Sequence, residues 1–170
     1  MTMILTLLLT LAAGQASDDV LAPARQGMLR CTTPDQTHKT CATLTRYTVH
    51  PDGGFDAEVT GMASRPAQIS IRYTMPGTVE NGALCFVHSG GALSGASFTK
   101  PGAKLAPSLQ ETLRAQVSAG MASLSGKKRC YRDRIVNGSL VSATTLDGVA
   151  HPELDRPVLW VRAEDGYKVQ

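Results

Sequence analysis

The sequence predicts an α+β fold: a mainly antiparallel twisted sheet of about eight short strands with one amphipathic helix packed on it. Three observations support this fold class. Short segments alternate apolar and polar residues, turn-forming pairs such as Asn-Gly separate them, and one stretch only has helical periodicity. A length of 170 residues without an evident linker or repeat indicates a single domain.

The strand predictions rest on period-two alternation and on the turns that bound it. Apolar residues alternate with polar ones over 55–60 and 69–75, as in strands with one solvated face. Asn81-Gly82, Asn137-Gly138 and Asp147-Gly148 predict tight hairpins, and Pro76-Gly77 predicts a break. The predicted strands are 25–31, 42–49, 55–60, 69–75, 83–87, 130–136, 139–146 and 157–162. The last is apolar on both faces, which places it in the interior of the sheet.

The helix is predicted after a Gly/Ser/Ala segment, 89–97, that offers little to pack. Ser108 and Glu111 have the spacing of a capping box at its start, and Gly126 is a natural end. Apolar residues recur every three or four positions and form one stripe, Leu109, Leu113, Val117, Met121 and Leu124.

The N-terminus is predicted to be a signal peptide, residues 1–16, followed by one disulfide-stabilised globular domain, 17–170. The apolar run is about ten residues, too short for a membrane span, and small residues at Gly14 and Ala16 suit a cleavage site. We therefore expect a periplasmic or secreted protein that is not an integral membrane protein after cleavage.

Four cysteines in an exported chain predict two disulfides. Three pairings are possible, and the sequence alone does not select one. The turn-rich segment after Cys31 favours a local bridge to Cys41, which leaves Cys85 and Cys130 as a long-range bridge. No C-x-x-C pair occurs, and we predict neither a metal site nor a cofactor.

Candidate nucleophiles are weak, and no catalytic residue is predicted. Ser97 and Lys100 match a serine-lysine pattern, but the following Pro101 opposes the helical turn that this chemistry needs. His88 beside Ser89 is a possible base-nucleophile pair. A small periplasmic serine-type hydrolase that uses Ser89 or Ser97 is the alternative function.

Positive charge is concentrated between residues 97 and 140, which hold eight Lys or Arg and two Asp or Glu. The candidate binding residues in this region are Lys127, Lys128, Arg129, Arg132 and Arg134. They predict non-catalytic binding of an anionic envelope component or of a protein partner. An aromatic content of 5% and the exported compartment argue against a nucleic-acid partner.

Segments at both ends of the mature chain carry a resemblance. Arg25-Gln26-Gly27-Met28-Leu29-Arg30-Cys31, Lys39-Thr40-Cys41 and the ending 158–167 resemble a group of uncharacterised small exported proteins of Gram-negative bacteria. The resemblance implies export and the cysteine framework, and it implies no catalytic residues.

Overall fold

The structure is a computed structural model that describes residues 19–89 and 91–170. The predicted signal peptide at 1–16 lies outside the described residues.

Two α-helices and twelve strands make up the described part of the chain. The helices are α1 (Ala22–Arg25) and α2 (Pro107–Met121). The strands are β1 (Leu29–Thr32), β2 (Thr40–Cys41), β3 (Thr43–Val49), β4 (Gly54–Ser64), β5 (Ile69–Glu80), β6 (Ala83–Val87), β7 (Ser97–Thr99), β8 (Lys128–Val136), β9 (Ser139–Leu146), β10 (Val149–Ala150), β11 (Arg156–Val161) and β12 (Lys168–Val169). Short 3₁₀ turns cover Ala122–Leu124, Pro152–Leu154 and Ala163–Asp165.

The main sheet closes into a barrel of eight antiparallel strands. Around the barrel the order is β9-β11-β1-β3-β4-β5-β6-β8, and β8 then pairs with β9 to complete the circle. The mainly antiparallel α+β prediction is confirmed, but the open twisted sheet is wrong. The closing pairs join strands far apart in sequence, such as β1 with β11, and local alternation carries no information about them.

The predicted hairpin turns are confirmed in their backbone geometry. Asn81 and Gly82 both have positive φ, +50° and +74°, which is the type I′ geometry that suits a two-residue hairpin. Asn137-Gly138 and Asp147-Gly148 repeat it at the β8–β9 and β9–β10 connections. The prediction of an interior final strand also holds, because β11 lies between β9 and β1.

Strand β5 runs through Pro76-Gly77, contrary to the predicted break. The β5–β6 pairing covers only Thr78 to Glu80, so Pro76 lies just beyond the end of that ladder, where a missing N–H is tolerated. Gly77 lies against the ring of Phe55. A Cβ at Gly77 would approach the Phe55 ring to 2.5 Å, so the strand needs glycine there for packing.

The first predicted strand begins too early. Residues 22–25 form α1 instead, and β1 starts at Leu29. The reason is packing: Leu21 is fully buried and Ala24 nearly so, in the cluster that holds Phe55 and Phe86. The short helix α1 therefore closes one end of the barrel.

Helix α2 confirms the predicted helix but not its cap. Ala106 is the N-cap and Pro107 the first helical residue, so Ser108 lies inside the helix and makes no capping bond. Leu113 packs with Ile71 and Phe98 in a second apolar cluster, whereas Leu109 is exposed. The same cluster buries Leu93 and Ala96 of the preceding loop, which packs more closely than its composition predicts; the two other buried members are Ile69 and Leu105.

Both predicted disulfides are present. Cys31 is bonded to Cys41, and Cys85 to Cys130. The second pair lies directly opposite in the β6–β8 register, so the bridge fastens two neighbouring barrel strands. Neither bridge faces the barrel interior, because the inward positions on these strands are the alternate residues.

Candidate functional site

The barrel encloses a cavity of about 340 Å³. This volume lies at the lower end of the range that small-molecule sites occupy, about 300–1,000 Å³. All eight barrel strands contribute to its lining, together with the end of α2 and the turn at Pro152–Leu154. The lining residues are Arg30, Thr32, Thr43, Thr45, Tyr47, Val59, Tyr73, Met75, Phe86, His88, Met121, Leu124, Arg129, Tyr131, Ser142, Thr144, Leu154 and Arg156.

The two ends of the cavity differ in burial. At the inner end Tyr47, Met75 and Phe86 are buried, and the packed residues of α1 lie in the same cluster. At the other end Leu124 is half-buried and Arg156 is exposed. The cavity is thus a cup that α1 closes and that opens beside the end of α2.

The lining follows from strand periodicity. Thr45 and Tyr47 of β3 are buried and face the cavity, whereas the intervening Arg46 and the following Thr48 are exposed. On β8, Arg129 and Tyr131 face the cavity, and the intervening Cys130 faces outward to its disulfide partner. Many inward positions carry hydroxyl groups rather than aliphatic side chains, so the interior is not filled as a purely apolar core would be.

Arg30 lies in the wall of the cavity and is only 5% exposed. Its Nη2 donates to Asp133 Oδ1 at 2.7 Å and to Ser142 Oγ at 2.7 Å. The guanidinium carbon also lies 5.9 Å from the centre of the Tyr131 ring. Since Asp133 neutralises it and Ser142 accepts a further bond, Arg30 links β1 to β8 and β9 across the barrel.

Arg129 has a different environment although it lines the same cavity. Its guanidinium carbon lies 4.9 Å from the centre of the Tyr131 ring, a cation-π arrangement. Within the described residues it has no carboxylate partner, and its Nε is buried without a hydrogen-bond acceptor. Of the three arginines that line the cavity, Arg156 also has no carboxylate partner among the described residues, but it is exposed and donates to the carbonyl oxygens of Glu153 and Asp155. Arg129 is therefore the lining arginine that combines an unpaired charge with a buried, unpaired donor.

His88 follows the last residue of β6 and is 6% exposed. Burial, reinforced by the positive charge of Arg129, lowers the pKa of the His88 imidazole. Its backbone is fixed, because His88 N donates to Lys127 O and His88 O accepts from Gly126 N. Its Nδ1 is buried and has no partner among the residues the structure describes.

Three tyrosines face the cavity and remain protonated at neutral pH. Burial raises the pKa of Tyr47 to about 12, and burial also raises the pKa of Tyr73 and of Tyr131. Each phenol therefore offers both a hydrogen-bond donor and an apolar ring to the interior.

The five predicted binding residues do not form one surface. Lys128, Arg132 and Arg134 alternate along β8 on the outer face, and Lys127 lies in the exposed turn before it. Only Arg129 faces the interior. The outer cations are partly neutralised: Lys128 Nζ lies 2.7 Å from Glu80 Oε2, and Arg134 Nη2 lies 3.1 Å from Asp155 Oδ2.

The side chains considered for hydrolase chemistry are dispersed. Ser97 lies on β7, an extended strand paired with β5, so the serine-lysine pattern does not form a helical turn. Ser89 is exposed while His88 is buried, and no hydrogen bond joins them within the described ranges. Ser142 accepts a bond from the Arg30 guanidinium, and its cross-strand neighbour Asp133 is paired with that guanidinium and makes no hydrogen bond to Ser142 within the described residues.

Residues 19–89 and 91–170 contain no cluster of three or more His, Cys, Asp or Glu side chains arranged to hold a metal ion. None of the helices in these ranges is long and apolar enough to cross a membrane.

Sequence reasoning missed most of the cavity lining. Arg30, Tyr47 and Tyr131 were not predicted as site residues, and Arg129 was grouped with the four other candidate basic residues. The sequence did contain one relevant pattern: arginine, threonine, serine and tyrosine residues occupy the same strand faces as the buried apolar residues. This pattern indicates a polar site only when the sheet is known to close, because closure turns that face into the interior of a barrel.

The geometry defines a class: a disulfide-bonded, closed antiparallel β-barrel whose internal cavity is lined by both polar and apolar side chains. The chain matches no known protein family, no curated protein and no solved structure. Its functional assignment therefore rests on the site itself.

Proposed function

We propose that this protein is an exported, non-catalytic binding protein that holds a small, partly apolar molecule inside its barrel. The observation that carries the proposal is the cavity of about 340 Å³, whose inner end is buried and whose outer end reaches the surface. An eight-stranded barrel has an interior wide enough for side chains alone or for one small ligand. Here part of that interior is left unfilled.

The lining supports binding rather than turnover. Val59, Met75 and Phe86 offer apolar surface, and a ligand that covers it gains free energy by removing that surface from water. The tyrosine hydroxyls offer hydrogen bonds that orient the ligand. A nucleophile activated by a neighbouring base is not found among the described lining residues. These features suit a site that retains its ligand unchanged.

The disulfides and the N-terminus support export. Two disulfides are stable in an oxidising space, and the N-terminal apolar run has the form of a secretory signal. We infer a periplasmic or secreted location, where a soluble carrier or sensor of small amphipathic molecules would act.

The test is saturable binding of the neutral dye prodan, followed by its blue-shifted emission. The single tryptophan, Trp160, packs against the cluster at the inner end of the cavity and provides a second signal. We expect one dye molecule per protein and a concerted change in Trp160 fluorescence. Absence of saturable binding in the folded protein would refute the proposal.

Two variants locate the dye. Val59→Phe fills the buried interior, and Leu124→Trp narrows the half-buried rim; we expect both to weaken binding at least tenfold. The matched control is Val79→Phe, because Val79 is 38% exposed and does not line the cavity. Near-ultraviolet circular dichroism verifies that each variant folds. Equal weakening by Val79→Phe would place the dye outside the barrel.

A second candidate is binding of an anionic envelope surface by the outer face of β8. Lys127 and Arg132 are exposed and have no carboxylate partner within the described residues. This function predicts association with vesicles of anionic lipid that weakens with salt and is lost in Lys127→Ala/Arg132→Ala. Sedimentation with such vesicles at low ionic strength tests it.

A further inference from the structure

We propose that the ligand of the cavity is a monocarboxylate with an apolar tail, and that Arg129 and His88 donate hydrogen bonds to its carboxylate. The inference rests on the proposed function, in which the barrel interior holds a small molecule. It adds the chemical class of that molecule and the residues that select it.

The strand register brings Arg129 and His88 together. Arg129 is opposite Phe86 in the β6–β8 pairing, and His88 is two residues beyond Phe86 on the same inward face. Diagonal positions of this kind lie about 7–8 Å apart, a separation that one carboxylate bridges between two long side chains. Both residues line the cavity, and the backbone of His88 is bonded to Lys127 and Gly126, which directly precede β8.

Both side chains have nitrogen atoms that need a partner. Arg129 Nε and His88 Nδ1 are buried and have no hydrogen bond with any described residue. A guanidinium nitrogen can only donate, so its partner must carry an acceptor. The neutral imidazole donates from Nδ1 in one of its two tautomers, and an oxygen anion would select that tautomer.

Charge balance limits the ligand to a single negative charge. Asp133 compensates Arg30, and Arg156 is exposed to solvent at the rim, so Arg129 is the lining guanidinium whose charge is compensated neither by a described carboxylate nor by full exposure to water. His88 adds no charge at neutral pH, because burial and Arg129 lower the pKa of its imidazole. A dianionic phosphate would bury one charge without a partner, whereas a carboxylate is matched and fits the planar guanidinium fork.

Apolar side chains elsewhere in the lining suit the rest of such a molecule. Val59, Met75 and Phe86 are each less than 10% exposed, and Phe86 is the cross-strand neighbour of Arg129. An alkyl or aromatic tail would lie on these side chains while its carboxylate meets Arg129. The ring of Tyr131 meanwhile holds the Arg129 guanidinium in place for the ion.

Matched ligand pairs test the inference on the wild-type protein. Decanoate is compared with decanol, and naphthoate with naphthol, each by displacement of prodan at neutral pH and moderate ionic strength. We expect the carboxylate of at least one pair to bind about 10- to 100-fold more tightly, as for a charge-assisted hydrogen bond. Equal affinities in both pairs would overturn the carboxylate assignment and leave the proposed function standing. Failure of prodan itself to bind would overturn both.

Two arginine variants on one strand identify the recognising residue. Arg129→Gln changes an inward-facing residue and should lose the preference for the carboxylate over its neutral partner. Arg132→Gln, three residues along on the outer face, should change neither. Arg129→Lys retains the positive charge but not the paired N–H groups of the guanidinium, so it should retain part of the preference for the carboxylate. If Arg132→Gln removes the preference as fully as Arg129→Gln, the ion binds outside the barrel and the inference is wrong.

Discussion

Arg30 and Asp133 are 103 residues apart in sequence and form an ion pair inside the barrel, with Arg30 Nη2 2.7 Å from Asp133 Oδ1. Their side chains are 6% and 9% exposed. The pair joins the first barrel strand to β8, on the far side of the interior. Ser142 Oγ accepts a second hydrogen bond from the same Nη2, so one guanidinium nitrogen links β1 to both β8 and β9.

Removal of one partner of this pair should destabilise the fold. Arg30→Met leaves a buried carboxylate without a counter-charge, which costs about 3–5 kcal/mol. We expect this loss in the free energy of unfolding, measured with urea through Trp160 fluorescence. The double variant Arg30→Met/Asp133→Leu should recover most of it, because no isolated charge remains. A double variant as unstable as the single one would contradict this account.

Gly77 should be intolerant of a side chain despite its extended strand conformation. The Cβ of Gly77→Ala would lie 2.5 Å from Phe55 Cζ and 2.8 Å from the carbonyl oxygen of Cys85. Overpacking of this kind costs about 1–3 kcal/mol, and the backbone oxygen cannot move aside easily.

The matched control for Gly77 is Gly120 in α2, where an added Cβ meets nothing within 4 Å. Gly120→Ala should stabilise the protein by up to about 1 kcal/mol, because alanine is the better helix former. Thermal and urea unfolding of both variants provide the comparison. A stable Gly77→Ala variant would mean that Phe55 repacks freely.

Local chemistry made the strands predictable. Each of the eight predicted strands corresponds to a barrel strand, because alternation and the Asn-Gly or Asp-Gly turns act over a few residues. The cysteine pairing followed similarly from the short loop between Cys31 and Cys41. The start of α2 was mispredicted because Pro107 sets the first turn in place of a Ser108 cap.

Closure and the cavity were not predictable in the same way. The pairing of β1 with β11 joins residues more than a hundred positions apart, and no local pattern specifies it. In the sequence, Arg129 is the third of three consecutive basic residues. Which way its side chain faces cannot be predicted without knowing that the sheet closes into a barrel. The burial that changes the pKa of His88 depends on the same long-range packing.

The two disulfides should differ in their contribution to stability. Cys85–Cys130 closes a sequence separation of 45 residues and Cys31–Cys41 one of 10. In the chain-entropy description, removal of the longer cross-link costs about 4 kcal/mol and of the shorter about 2.7 kcal/mol. Urea unfolding of Cys85→Ala/Cys130→Ala and Cys31→Ala/Cys41→Ala measures both. A larger loss for the shorter loop would show that native packing around Cys31 and Cys41 outweighs chain entropy.

The buried imidazole of His88 should make folding sensitive to mild acid. Its pKa is lowered in the folded state, so the unfolded chain binds the proton more readily as the pH falls through the ordinary value of 6.5. The free energy of unfolding should therefore decrease from neutral pH toward pH about 5.

His88→Gln tests this acid sensitivity, because glutamine has a similar polar side chain and does not titrate in this range. The variant should have a flatter dependence of stability on pH than the wild type. Arg129 is the charged group that opposes protonation from the neighbouring strand, so Arg129→Gln should raise the pKa of His88 toward its ordinary value. Nuclear magnetic resonance of the His88 ring protons follows that pKa directly. A wild-type pKa at or above 6.5 would mean that the imidazole is solvated, and the cavity wall would then lack the neutral donor that pairs with Arg129.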